Sequence, residues 1–228
     1  MANIRVAIDG PAGAGKSTIS KIVAKELGFI YIDTGAMYRA VGLKAIRLGV
    51  DTKKDIPAIT KLMDDIRIDI KYGEQGQIVI LDGEDVTSKI RDPLVSIAAS
   101  DVSAIPAVRL KLVELQRSLA KKDNVIMDGR DIGSYVLPDA EIKIFLTASV
   151  SDRAKRRYDE LVLKGIDINL DDVKADIEYR DKNDSSRSFA PLTVAPDALV
   201  VDTTGNTLEQ SVDLLIGIIK ERLDCFSM

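Results

Sequence analysis

The sequence predicts an α/β fold: a five-stranded parallel sheet with helices on both faces, a small antiparallel β insertion and a helical lid. Three observations predict it. Five short apolar segments, at 4–9, 29–33, 124–128, 141–146 and 197–202, have the character of buried parallel strands, and four of them end in aspartate. Stretches of helical periodicity separate these segments, as parallel strands require of their crossovers. The chain has 228 residues, 46% of them hydrophobic, which suits one large domain, or one with insertions, and a core that needs no staples.

The first strand runs into a glycine-rich turn and then a helix from Lys16, whose Ile19, Ile22, Val23 and Leu27 fall on one face. The second strand ends at Asp33, where another helix begins. Residues 65–90 depart from the pattern: Ile66-Arg-Ile-Asp-Ile70 alternates, Gly73 and Gly76 mark a turn, and a second run follows to Leu81 and Asp82-Gly83. That alternation predicts an inserted antiparallel hairpin with one wet face. Ile105, Val108, Leu112, Leu115 and Leu119 predict the next helix, with Pro106 in its first turn. Residues 151–191 are rich in Arg, Lys and Asp and poor in large apolar side chains, so two charged helices about Gly165 are expected as a mobile flap. Thr207-Leu-Glu-Gln210 has the form of a capping box and opens a last helix through Val212, Leu215, Ile219 and Leu223, with Cys225 as an apolar filler. The chain divides into a core (1–34, 105–150 and 188–228), an inserted region (35–104) and a lid (151–187).

Composition removes several chemistries. One cysteine excludes an internal disulfide and any multi-cysteine metal site, and the absence of histidine excludes a serine–histidine dyad, a histidine base and an imidazole-bound metal. Lys and Arg total 32 against 36 Asp and Glu, a net charge of −4, so no overall basic surface invites nucleic acid. No run of about 18 apolar residues is present, so no membrane span is expected, and the N-terminal apolar stretch is too short for a secretory signal. A cytoplasmic protein is the expectation.

The strongest local signal is Gly10-Pro11-Ala12-Gly13-Ala14-Gly15-Lys16-Ser17, followed by Thr18. It matches G-x-x-x-x-G-K-[ST] between an expected strand and an expected helix. Glycines let successive backbone N–H groups turn toward phosphate oxygens, and the helix start adds unpaired donors and a positive dipole end. Lys16 supplies charge for β- and γ-phosphates, and the Ser17 hydroxyl is placed to ligate Mg²⁺, with Asp128 as the acidic partner at a neighbouring strand end. The bound nucleotide is therefore expected to be a triphosphate.

A GTP-dependent switch would carry an Asn-Lys-x-Asp segment after a late strand; here the corresponding run is Asp202-Thr-Thr-Gly-Asn206. A second set of anion-binding residues argues for a small-molecule kinase. Thr34 and Arg39 follow the second strand, Arg130 and Asp131 follow the third, and Arg109 lies on the polar side of its helix. Strand ends on one edge of such a sheet face a common crevice. Several arginines converging near a phosphate loop suggest an acceptor that is itself a phosphate.

Blocks along nearly the whole chain then resemble the bacterial cytidylate kinases: Asp9 to Thr18, Asp33-Thr-Gly-Ala-Met-Tyr-Arg39, Gly83-Glu-Asp-Val86, Ile97-Ala-Ala-Ser100, Asp128-Gly-Arg-Asp-Ile-Gly133, Pro138-Asp-Ala140, Lys143-Ile-Phe-Leu146, Arg180-Asp181, Asp184, Arg187 and Ala190-Pro-Leu192. Threonine stands at Thr34 in place of the family's serine and keeps the hydroxyl. The resemblance implies a P-loop fold of the nucleoside monophosphate kinase type, with 35–104 as the monophosphate-binding region. It implies phosphoryl transfer from ATP to CMP or dCMP with Mg²⁺. It also implies that Thr34, Arg39, Ser100, Arg109, Arg130 and Asp131 hold the acceptor's base and phosphate, with Asp184 and Arg187 on the sugar side.

Asp131 suits the cytosine N4 amino group, while Ser100 and an arginine can donate to N3 and O2. A phosphate nucleophile needs no general base, so the lack of histidine is no obstacle. Lys16, Arg130, Arg153, Arg157 and Arg180 are the expected catalytic cations. Arg153 and Arg157 stand i,i+4 on the charged helix and, with Arg180, are placed to close over the γ-phosphate. For Arg156 a salt-bridged solvated position is equally open. A monomer is expected. A kinase for another small acceptor such as UMP, and a nucleotide-dependent switch, remain the alternatives.

Overall fold

A computed structural model describes residues 3–74 and 76–226; Gln75, within the turn expected between Gly73 and Gly76, lies outside them. The chain runs β1 (Arg5–Asp9), α1 (Lys16–Leu27), β2 (Ile30–Asp33), α2 (Thr34–Arg47), α3 (Ile56–Asp65), β3 (Ile68–Gly73), β4 (Gly76–Leu81) and β5 (Glu84–Asp85). It continues with α4 (Pro93–Val102), α5 (Pro106–Leu119), β6 (Val125–Gly129), β7 (Ile142–Thr147), α6 (Val150–Leu163), α7 (Leu170–Ser186), β8 (Leu199–Asp202) and α8 (Leu208–Phe226).

Five strands form one parallel sheet in the order β2-β6-β1-β7-β8, and β3-β4-β5 form a separate antiparallel sheet. Side-chain alternation splits the core into two layers. Ala7, Val125 and Met127 join the cluster under α2, α3, α4 and α5, while Val6, Ile8, Ile126 and Ile144 join the cluster under α1 and α8. Burial of both faces is why these strands read as continuous apolar runs. Helix ends follow local chemistry. Gly28, at φ 69°, closes α1 in the left-handed conformation. The expected capping box forms at α8: Thr207 N donates to Gln210 Oε1 at 2.9 Å, and Gln210 N to Thr207 Oγ1 at 3.2 Å.

Some expectations change. β8 is an edge strand whose Val200 is 53% exposed, so it is not buried on both faces. The insertion gains a third short strand, β5, and its first strand starts at Ile68, because Ile66 ends α3 and is buried there. The lid is more than a charged flap: Ala154, Leu161, Val173 and Ile177 form a small core between α6 and α7. Each helix carries too few of these for its own periodicity to show, and only their facing arrangement makes a cluster. Cys225 is exposed and fills no gap. Among the described residues no single helix is long and apolar enough to cross a membrane.

The topology places the crevice. After β1 the chain turns to the α1 layer, where Ile19 and Val23 pack; after β6 it turns to the opposite layer through a π-helical turn, Ile132–Val136. Chain exits to opposite faces open the sheet edge between β1 and β6.

Candidate active site

The phosphate loop fills that edge. Gly10 lies so close to β7 that an added Cβ would stand 1.9 Å from the Leu146 carbonyl oxygen, so no other residue fits. Gly13 and Gly15 hold φ values of 74° and 85°, which turn the loop before α1. Lys16 is buried and donates from Nζ to the Pro11 carbonyl at 2.7 Å. Burial and the nearby Arg130 push its ammonium well below the usual lysine range. Asp9 accepts from the backbone N–H groups of Ile132 and Gly133, both at 2.7 Å, and so ties β1 to the turn after β6. Burial lifts its carboxyl to about 6.

Ser17 Oγ donates to Asp128 Oδ2 at 2.9 Å, and Tyr31 donates to Asp128 Oδ1 at 2.7 Å. Burial, reinforced by Asp33, raises the Asp128 carboxyl. Ser17 and Asp128 are hard oxygen donors at the mouth of the loop, and among the described residues no group of three or more His, Cys, Asp and Glu forms a metal cage. That donor set fits Mg²⁺, which binds through one or two protein oxygens, substrate phosphates and water.

A cavity of about 540 Å³ extends from the loop to the lid. Its walls carry ten Lys and Arg side chains against five Asp and Glu, in a chain whose net charge is −4. The cations are underpaired. Among the described residues Arg109 Nε, Arg180 Nε and Arg187 Nη2 are buried without a hydrogen-bond partner. Burial, then the repulsion of Arg130, lowers Arg180 to about 10, and burial with Arg109 lowers Arg187. Arg130 thus lowers both Lys16 and Arg180, and a cleft so crowded with buried cations has the chemistry to take an anion.

On the acceptor side, Asp33 caps α2 through Ala36 N at 2.9 Å, and Gln77 of β4 clasps its backbone: Oε1 accepts from Asp33 N at 2.8 Å and Nε2 donates to Asp33 O at 3.1 Å. Arg39 and Arg91 both reach Asp33 Oδ2, at 3.5 and 3.2 Å. Burial raises the Asp33 carboxyl, but these two guanidinium groups outweigh it and leave it below the usual range. Thr34 donates its hydroxyl to the Asp128 carbonyl at 2.7 Å. Deeper in, Arg109 pairs with Asp131, and Arg187 lies 3.7 Å from Asp131 Oδ1. Arg130 donates from Nε to Asp184 Oδ2 at 2.6 Å. Burial raises Asp184, and Arg130 with Arg187 pulls it below the ordinary value.

Every acceptor-side residue singled out from the sequence lines this cavity: Thr34, Arg39, Ser100, Arg109, Arg130, Asp131, Asp184 and Arg187. So do Arg157, Arg180, Ser17, Asp128 and residues 13–18, whereas Gly10, Pro11 and Ala12 do not. Arg153 departs from expectation. It is 4% exposed, donates to the carbonyls of Ala148 and Ala12 at 2.9 and 2.8 Å, pairs with Asp181 at 2.7 Å, and does not line the cavity. The i,i+4 spacing aligned it with Arg157 along α6, but its position against the phosphate loop turns it into a structural tie. Arg156, whose position the sequence left open, does reach the cleft, donating to the Thr203 carbonyl at 2.6 Å and to Thr203 Oγ1 at 3.1 Å.

Sequence reasoning also missed Arg91, Tyr31 and Asn183. Arg91 sits in a short turn with no periodic signal, and the Tyr31 hydroxyl finds Asp128 only across the sheet. Asn183 was legible: Arg180, Asn183, Asp184 and Arg187 follow helical i, i+3, i+4, i+7 spacing.

A parallel sheet, a phosphate loop at its switch point and a cation-rich cleft under a helical lid define a phosphate-loop protein of the small-kinase type. Solved structures agree on the fold. An uncharacterised protein from Eubacterium ventriosum superposes with a TM-score of 0.52 at 14% identity, covering 96% of this chain and 99% of that one. A gluconokinase from Sinorhizobium meliloti reaches 0.50 at 11% identity, covering 99% and 98%. The sequence is more specific: the cytidylate kinase family model matches residues 6–221. Relatives named cytidylate kinase include one from Caldicellulosiruptor saccharolyticus, 56% identical with 96% of each chain covered. Another, from Geobacillus sp. (strain WCH70), is 51% identical over 97% of this chain and 98% of its own. The chain belongs to the cytidylate kinase family.

Proposed function

We propose that this protein transfers the γ-phosphoryl group of ATP to CMP or dCMP, giving ADP and CDP or dCDP. The observation that carries the reading is the excess of cations over carboxylates in the cleft, with guanidinium N–H groups of Arg109, Arg180 and Arg187 left without a hydrogen-bond acceptor among the described residues, which two phosphate chains brought end to end would satisfy. Residues 10–18 hold the donor's phosphates, with Lys16 against the β- and γ-phosphates. Ser17 and Asp128 would hold Mg²⁺, which supplies charge neutralisation on the donor phosphates when bound. Arg39 and Arg130 orient the acceptor phosphate, and Arg91, from its place beside Asp33, joins them. Arg109 and Asp131 meet the base with Ser100, and Asp184 and Arg187 meet the sugar.

The nucleophile is a phosphate oxyanion, so the protein's work is alignment and relief of repulsion. Lys16, Arg130, Arg157 and Arg180 do this from both sides of the transferring group. The lid, 151–187, excludes water that would otherwise take the phosphoryl group. The region 35–104 is the unit that carries the acceptor.

The test is coupled ADP release with a panel of monophosphates. CMP- and dCMP-dependent turnover supports the reading. ADP release independent of any acceptor would indicate a nucleotide-dependent switch, and preference for a different acceptor would reassign the substrate.

A further inference from the structure

Asn183 on α7 donates from Nδ2 to both the carbonyl oxygen and the hydroxyl of Ser100, at 3.0 and 3.1 Å. Ser100 stands in the last turn of α4, and its carbonyl receives only side-chain donors among the described residues: Asn183 and the Ser103 hydroxyl, the latter at 2.8 Å. A carbonyl is an acceptor only, so the group facing it from Asn183 must be the amide NH₂ and not the amide oxygen. The same NH₂ therefore also occupies a lone pair of Ser100 Oγ. Ser100 is 6% exposed and lines the cavity, and its hydroxyl proton has no acceptor among the described residues. It is left to point at whatever fills the cleft.

We infer that Asn183 is a positioning residue that sets the polarity of Ser100, making its hydroxyl a donor toward the acceptor base and so selecting cytosine over uracil. The inference rests on the CMP-kinase reading above. Cytosine presents N3 as an acceptor, whereas uracil presents an N3–H donor that would meet the serine proton head on. Asn183 is on the lid and Ser100 on the acceptor wall, so the selective arrangement exists only while α7 lies against α4. Base discrimination is thereby tied to lid position as well as to pocket shape.

Two substitutions separate this role from simple packing. Asn183→Ala removes the donor and frees the Ser100 hydroxyl to rotate. Asn183→Asp replaces the donor with an acceptor, so Ser100 turns its proton to the lid and offers a lone pair to the base. The measurement is kcat/KM for CMP and UMP in wild type, both variants, Ser100→Ala, and Asn183→Asp in a Ser100→Ala background, with Tm recorded for each. The expected result is a CMP-to-UMP ratio reduced on the order of tenfold in Asn183→Ala and further in Asn183→Asp, where UMP turnover rises in absolute terms. In the Ser100→Ala background the aspartate should no longer move the ratio. Equal losses for both substrates, or unchanged ratios in folded variants of a CMP-selective wild type, would overturn this inference alone. A wild type with no CMP turnover would overturn the underlying reading and this inference with it.

Discussion

Arg153 and Asp181 grip one residue of the phosphate loop from two lid helices. Arg153 Nη1 donates to the Ala12 carbonyl at 2.8 Å, Asp181 Oδ1 accepts from Ala12 N at 3.2 Å, and the two side chains pair at 2.7 Å. Gly13, the next residue, would bring an added Cβ within 3.0 Å of the Arg153 backbone oxygen. The lid is therefore built onto the loop and does not merely hang above it.

Arg153→Ala should cost about 2–3 kcal/mol of stability, below the full price of breaking a buried ion pair because Asp181 is a quarter exposed. Urea unfolding midpoints would show this. Steady-state kinetics should show KM for ATP rising while KM for CMP stays near wild type. A selective loss in kcat with both KM values unchanged would instead restore Arg153 as a transition-state cation.

Lys16→Ala should lower kcat on the order of 10³-fold, as expected for losing a strong transition-state donor in a dry site. Lys16 is already held against the Pro11 carbonyl at the loop, so the fold has a partner to lose as well. Circular dichroism and Tm would establish that the variant remains folded. Near-normal turnover would end the proposed role.

The Asp9 carboxyl gives a pH signature. Its value is lifted from 3.8 to about 6 in the folded protein, first by burial. The folded state then holds the proton more tightly than the unfolded chain. Its contribution is fully present below about pH 4 and is lost as pH rises through about 6. Wild-type stability relative to Asp9→Asn should thus fall by on the order of 3 kcal/mol between those limits. Denaturant unfolding of both proteins from pH 4 to 7 measures the difference. A flat difference would mean that the two backbone donors, Ile132 and Gly133, hold Asp9 ionised throughout.

Residues 151–187 should exchange amide hydrogens more slowly when ATP and CMP are both bound than with either absent. The lid touches the acceptor wall through Tyr179, whose hydroxyl donates to Asp101 at 2.7 Å, and through Asn183 on Ser100. Ligands on both sides would add anions between these contacts. Hydrogen exchange with mass spectrometry reads the effect, and unchanged exchange with both nucleotides present would remove the lid role.

The sheet was legible because its central strands are buried and four of the strands or expected strands close on an aspartate at one edge, Asp9, Asp33, Asp128 and Asp202. The phosphate loop was legible because local backbone demands leave glycine no substitute, as Gly10 against Leu146 shows. α3 did carry a signal, with Asp55 as its cap, Pro57 in its first turn and Ile59, Leu62 and Met63 buried along it, whereas α4 had none comparable. α4 is apolar on most faces, since it is packed between α2 and the lid, so amphipathic periodicity is absent.

Charge pattern alone could not sort the arginines of α6. Arg153, Arg156 and Arg157 are near neighbours on one charged helix, yet one is sealed against the loop, one reaches Thr203 and one faces the cleft. The sequence by itself determined the fold class, the phosphate loop and, Arg91 apart, most of the arginines that line the cleft, because these depend on short-range backbone geometry, burial periodicity and recurring residue blocks. Only the tertiary structure decided which cation is sealed against the loop, which Asp33 partner comes from a distant turn, and that Asn183 meets Ser100. Those outcomes depend on the relative placement of segments more than 50 residues apart, and nothing local in the chain encodes a distance across that gap.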